Sequence, residues 1–309
     1  MRHRVLGVCF AALLVVPTVM TAQQRSAAEC WAAGNTNQRE PAWWPAACGY
    51  LIPDSVRNAP PGAPNTLGDP AFHVDLRSTP DRLMTFALPN ANTATLVANT
   101  LSQPFFGLEH DNTTGIMYAV DNGAAGVGPK VLGTLNKTTA AFTPIVTITG
   151  IPAADNVTGL AFQTSFAAGP IYVSAGDGVT TTLYTINTGT GAATAVGPTG
   201  TALMIDIAIN SAGQMYGMDI GTDSLYTINT GTGAATLIGA IGFNANFAQG
   251  MDFDKTTGVL YSWLYLGAGV NHFVQYNLGT GAATIINSPT NIEAEGALTP
   301  VSLQEISVE

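Results

Sequence analysis

Leu183-Tyr184-Thr185-Ile186-Asn187-Thr188-Gly189-Thr190-Gly191-Ala192-Ala193-Thr194 recurs almost unchanged as Leu225-Tyr226-Thr227-Ile228-Asn229-Thr230-Gly231-Thr232-Gly233-Ala234-Ala235-Thr236. A third copy runs from Phe273-Val274-Gln275-Tyr276-Asn277 to Gly281-Ala282-Ala283-Thr284. Degenerate copies stand at Leu132 to Asn136 with Phe142-Thr143, and at Leu83 to Phe86 with Asn92 to Thr95. The terminal threonines, Thr95, Thr143, Thr194, Thr236 and Thr284, are 42 to 51 residues apart. Internal self-similarity at that period marks an architecture of stacked units, and it outweighs any local motif.

Each copy reads as a hairpin. A β-branched and aromatic run meets a Thr-Gly turn whose Asn and Gly tolerate positive φ, and a second run ends in Gly or Pro. A second hairpin alternates with the first: Gly107 to Asp111 with Ile116 to Tyr118, Gly159 to Phe162 with Ile171-Tyr172, Asp206 to Ile209 with Gln214 to Tyr216, and Gly250 to Phe253 with Val259 to Tyr261. Two hairpins per period make four short strands, the unit of a propeller blade. Runs such as Leu237-Ile238-Gly239 and Val259-Leu260-Tyr261 are continuously apolar, as expected of strands covered on both faces.

The expected fold class is therefore all-β, a β-propeller of five four-stranded blades. Five outer hairpins are visible but only four complete inner ones. The missing inner strand is expected at Glu295 to Thr299, and its partner at Ala71 to Asp75, because Phe72 precedes Leu83 by the same spacing as Tyr172 precedes Leu183. The N- and C-terminal strands would then share one blade and close the ring. A competing closure puts Glu305 to Val308 in the partner slot.

At Leu183 to Gly197 and Leu225 to Gly239 the chain resembles secreted bacterial repeat proteins of unknown function with LYTINTGTGAAT-type units, which are similar to TolB-like β-propellers. The resemblance covers roughly residues 71–299. It implies a propeller and an exported location; it implies no set of catalytic residues.

The flanking segments set the compartment. Residues 1–22 read as a signal peptide: Arg2, His3 and Arg4 precede the short apolar run Val5 to Val16, and Thr18 to Ala22 offer a cleavage site. Cys9 sits too early for a lipoprotein box. Residues 23–70 form a separate segment in which Cys30 and Cys48 are expected to pair as a disulfide, worth about 3 kcal/mol on the chain-entropy estimate. Trp31, Trp43 and Trp44 nearby read as packing of a cap on the propeller, or as an exposed aromatic platform for a sugar or protein. Residues 71–300 are the propeller and 301–309 a tail without anchor or basic cluster. The mature protein is expected to be secreted, extracellular or periplasmic, with no stable membrane insertion once the signal is removed.

The formal net charge is −10, and from Leu83 onward the only basic side chains are Lys130, Lys137 and Lys255. Such a surface repels phosphate backbones, which excludes nucleic acid as a partner. No HExxH, GxSxG, phosphate loop or dinucleotide motif is present. His73, His110 and His272 lack ligand partners at metal spacing.

Four acidic residues fall near the inner strands and form the candidate metal set: Glu109, Asp206, Asp252 and Glu295. Converging in a channel, they would hold a hard cation such as Ca2+. They do not share one repeat position, however, so unrelated polar residues at strand ends are the simpler reading. Asp75, Asp121, Asp219 and Asp223 border the second inner strands, where Asx turns account for them without a cation. Tyr118, Tyr172, Tyr216 and Tyr261 recur once per blade as packing residues, and Asn112, Asn136 and Asn156 head sequons. Three functions remain open: a non-catalytic propeller binding a protein, glycan or surface polymer through a loop face; a cation-dependent hydrolase or lactonase using the channel carboxylates; and a structural surface or matrix component.

Overall fold

The computed structural model describes residues 70–76, 80–99, 105–123, 128–163, 165–246, 249–268, 270–289 and 294–300, the last stretch beyond Ala294 by its backbone only. Cys30, Cys48 and the three tryptophans beside them lie outside the described residues, as do the signal segment and the competing closure at 305–308.

Twenty strands form five four-stranded antiparallel sheets. Blade two is β4 (Phe105–Asp111), β5 (Ile116–Asp121), β6 (Val131–Leu135) and β7 (Phe142–Thr147). Blade three is β8 (Asn156–Ala161), β9 (Ile171–Gly176), β10 (Thr181–Ile186) and β11 (Ala193–Pro198). Blade four is β12 (Met204–Ile209), β13 (Met215–Asp219), β14 (Ser224–Ile228) and β15 (Ala235–Ala240), and blade five is β16 (Gly250–Asp254), β17 (Val259–Tyr265), β18 (Asn271–Tyr276) and β19 (Ala283–Asn287). Blade one mixes the two ends of the repeat region. Its β1 (Pro70–Asp75), β2 (Arg82–Ala87) and β3 (Thr95–Asn99) are completed by β20 (Ala294–Pro300), which pairs with β1 through Ala71↔Pro300, Phe72↔Thr299 and His73↔Leu298. The first strands β4, β8, β12 and β16, with β20, approach one another in a closed ring around the channel.

The apolar side chains fall into five clusters, one at each blade interface. Met251, Phe253 and Leu260 of blade five meet Ala208, Met218 and Leu225 of blade four; Trp263 and Phe273 of blade five meet Ala71 and Phe86 of blade one. Each fully buried Phe or Leu here contributes roughly 1.5–3 kcal/mol. Tyr118 stacks on Phe166 at 3.9 Å, and Tyr216 packs edge-on against Phe253 at 5.4 Å, so these two of the periodic tyrosines bridge neighbouring blades.

The repeated motif joins blades three, four and five each to the blade before it. Asn229 Oδ1 accepts from the Gly231 and Thr232 amides at 2.9 and 3.1 Å, an Asx turn that Asn187 and Asn277 repeat. The turn aims Ala235 N–H at the Thr199 carbonyl of the preceding blade, 2.9 Å away, and Ala283 N–H reaches Ile241 O in the same way. Gly233 has φ +78° there, and a Cβ on it would fall on the Gly197 carbonyl oxygen. Glycine is what lets adjacent blades touch backbone to backbone.

The outermost strands depart from the two-sided burial expected of continuous apolar runs. Leu237 is 59% exposed, whereas Leu260 is buried. All five third-to-fourth strand pairings carry a register shift at one repeat position, as at Leu225/Tyr226, leaving residues such as Ile238 without an opposite partner. That bulge breaks the alternation of sides, so a run of apolar residues there has one member turned to solvent.

Candidate functional site

The first strands all start at one end of the channel and finish at the other, and the two ends differ. At the finishing end the channel is crossed by a side chain. Lys255, in the turn after β16, donates from Nζ to Glu109 Oε1 of blade two at 2.7 Å and to the Phe162 carbonyl of blade three at 3.0 Å. Its ammonium also lies 5.1 Å from the Phe162 ring centroid. Glu109 is buried and accepts from Phe162 N–H as well. Burial by itself would lower the Lys255 pKa, but the Glu109 and Asp252 carboxylates raise it, so the ammonium keeps its proton. Burial pushes Glu109 up, and Lys255 pulls it back.

Asp206 and Asp252 have backbone partners. Asp206 Oδ2 accepts from Met251 N–H at 2.7 Å, linking blades four and five, while Oδ1 accepts from Ile207 N–H at 2.8 Å. Burial, reinforced by Asp252 and Glu109, drives Asp206 well above the ordinary carboxylate range despite those bonds. Asp252 Oδ1 accepts from Phe253 N–H at 2.7 Å. Glu295 stands on β20 in the irregular stretch between the Asp75 and His73 pairings; its side chain is outside the described residues. Among the described residues no three His, Cys, Asp or Glu side chains gather as a set for a metal ion. The structure brings Glu109, Asp206 and Asp252 into one electrostatic neighbourhood around a single cation, Lys255.

At the starting end lies a cavity of about 250 Å³ lined by Phe106, Thr158, Leu203, Ile205, Asn156 and Gln249, with the Gly176-Asp177-Gly178 loop at its edge. Its shape comes from three matching irregularities. The pairing of β4 with β5 skips a residue between Phe105 and Gly107, that of β8 with β9 between Val157 and Gly159, and that of β12 with β13 between Met204 and Asp206. The skipped residues are Phe106, Thr158 and Ile205, three of the cavity walls. A bulge re-aims the extra residue out of the strand's alternation, and here it does so in consecutive blades. β16 pairs regularly, and its side of the mouth is supplied by Gln249, whose amide bonds Tyr265 N–H and C=O, both at 2.9 Å.

Polar residues fix the walls. Thr158 Oγ1 donates to Met204 O at 2.7 Å, and Asn122 clamps Val157 by bonds of 2.9 Å to both its N–H and its C=O. Asp121 Oδ1 accepts from Gly123 N–H at 2.6 Å, the Asx turn expected of it, whereas Asp219 Oδ1 accepts from Leu203 N–H at 2.7 Å, 16 residues earlier. Asp75 instead takes Arg82 as an ion pair at 2.6 Å. Asn156 Oδ1 is buried without a hydrogen-bond partner. None of Phe106, Thr158, Ile205 or Gln249 stands out in the sequence, since a bulge is one extra residue with no motif of its own.

The architecture is thus a five-bladed propeller whose channel is bridged at one end and opens into a cavity at the other. The chain matches no protein-family model and no curated protein sequence. Its fold is similar to a chain in the crystal structure of a nidogen/laminin complex, with 12% identity and TM-score 0.48 over 75% of this chain and 97% of that one. It is also similar to TolB from Acinetobacter baumannii, with 14% identity and TM-score 0.48 over 83% of this chain and 61% of that one. A protein of unknown function from Bacteroides caccae matches at 14% identity and TM-score 0.42, over 72% of this chain and 73% of that one. No helix among the described residues is long and apolar enough to cross a membrane.

Proposed function

We propose that this protein is an exported, non-catalytic propeller that binds a protein, glycan or surface polymer through the face carrying the channel mouth. The observation that carries the reading is the asymmetry of the channel: one end is bridged by Lys255 and Glu109, the other opens into a preformed cavity. Rigid walls joined to their neighbours by buried hydrogen bonds favour recognition, because little ordering entropy is spent on association. The apolar run within residues 1–22 supports export.

The experiment is retention of a partner from the native surroundings by immobilised protein, with an Ile205→Arg variant that fills the mouth as control. Retention by the parent and loss in the variant is the expected result. Equal retention by both would remove the mouth from the function. The cation-dependent hydrolase reading requires Glu109, Asp206 and Asp252 to give up their present partners in exchange for a metal, and no observation favours it over binding.

A further inference from the structure

The chemistry of the mouth narrows the class of ligand. Three of its walls, Phe106, Leu203 and Ile205, are apolar. Gln249 is consumed by Tyr265 and by Asn246 O, so few side-chain amides remain for the several directional bonds a neutral sugar needs.

The charge at this end is one-sided. Asp121, Asp155, Asp177, Asp219 and Asp223 lie at the starting end of the blades. Among the described residues the cations there are Lys130, beside Asp155, and Arg82, which is tied to Asp75. Burial raises Asp155, Asp177 raises it further, and Lys130 only partly offsets this. Asp177 itself stays ionised, its carboxylate accepting from Val179 and Thr180 N–H at 2.9 Å. An incoming anion meets repulsion; an incoming cation relieves it.

We propose that the channel mouth binds an ammonium or guanidinium group carried on an apolar stem, of the kind a lysine or arginine side chain presents. The stem lies against Phe106, Leu203 and Ile205, and the Asp177 carboxylate on the lining, with Asp155 beside it, supplies the counter-charge. This rests on the reading of the mouth as a ligand site. The cavity volume suits one such side chain rather than a folded surface.

Titration calorimetry with blocked lysine (N-acetyl-lysine methylamide), its neutral analogue N-acetyl-norleucine methylamide, and cadaverine tests it. Blocked lysine is expected to bind at least roughly tenfold more tightly than the norleucine probe, and Asp155→Asn and Asp177→Asn each to weaken it roughly fivefold. Asp177→Asn keeps the oxygen that accepts from Val179 and Thr180 N–H, and Asp155→Asn is isosteric, so both preserve the loop. Cadaverine binding as tightly as blocked lysine supports the same chemistry with a free amine as its source; tighter binding of blocked lysine assigns it to a polypeptide. Norleucine binding as well as lysine, or both variants binding lysine unchanged, overturns the cation assignment while leaving the mouth a ligand site. No binding of any probe also overturns it, and the partner-retention experiment with Ile205→Arg then decides separately whether the mouth binds anything.

Discussion

The outer hairpins and the inner strands of this propeller obey opposite rules. In the outer hairpins the same letters return because the same backbone contact returns: an Asx turn, a glycine at the seam, and one amide donated to the neighbouring blade. In the inner strands the corresponding positions hold Glu109, Ala161, Ala208 and Asp252, and each blade contributes something different to the channel. Repetition therefore marks where the molecule holds itself together, and divergence marks where it can act.

The comparison breaks most sharply at the seam glycine. Gly233→Val puts a branched side chain at positive φ against the Gly197 carbonyl, and is expected to cost about 4 kcal/mol, read by chemical denaturation. The channel bridge comes next. Lys255→Met leaves the Glu109 carboxylate buried and unpaired, with an expected loss of about 3 kcal/mol; adding Glu109→Leu should recover most of it. A double variant as unstable as the single one would show that Lys255 acts through packing on Phe162 instead.

The closing seam between blades one and five offers a pH test. His73 is fully buried among Phe86 and Trp263, 5.6 and 4.8 Å away between centroids, and neither ring nitrogen has a hydrogen-bond partner. Burial lowers its pKa from 6.5 to about 3. Between those values the unfolded chain binds the proton and the folded one does not, so stability falls as pH drops from 6.5 toward 3. About 2 kcal/mol should be lost from this residue between pH 7 and pH 5. The buried carboxylates with raised pKa values shift the curve the opposite way, so the difference between parent and His73→Phe isolates the histidine. A difference flat with pH would refute the assignment.

The smallest effect on stability is expected at the mouth. Phe106→Ser removes a half-buried apolar wall at a bulge that already interrupts the ladder, and should cost about 1 kcal/mol while abolishing partner retention. A cost comparable to that at Gly233 would make the mouth a structural element and blur the contrast between the two regions.

Much of the fold was readable. The spacing of the LYTIN-type hairpins predicts five blades, and the alignment of Ala71 to Asp75 with Met117 to Asp121 predicts that the chain closes through Glu295 to Thr299. The Asx turn at Asp121 was equally legible, because turn chemistry is local, whereas Asp219 bonds an amide 16 residues away. The candidate site was not. Glu109 and Asp206 stood out as acidic residues, but their partners, Lys255 and the Met251 amide, are 146 and 45 residues away. Phe106, Thr158 and Ile205 look like ordinary strand residues, and only the register shows that each is skipped.

Sequence alone determined the blade and the number of blades, since a repeated hairpin buries its faces only against copies of itself and the local turns specify each copy; it left two closures of the ring open, and the structure pairs Ala71 to Asp75 with the C-terminal strand. Tertiary structure alone decided which end of the channel is bridged and which is open. That asymmetry depends on one lysine reaching across the ring and on single-residue bulges meeting in space, and neither leaves a periodic trace in the chain.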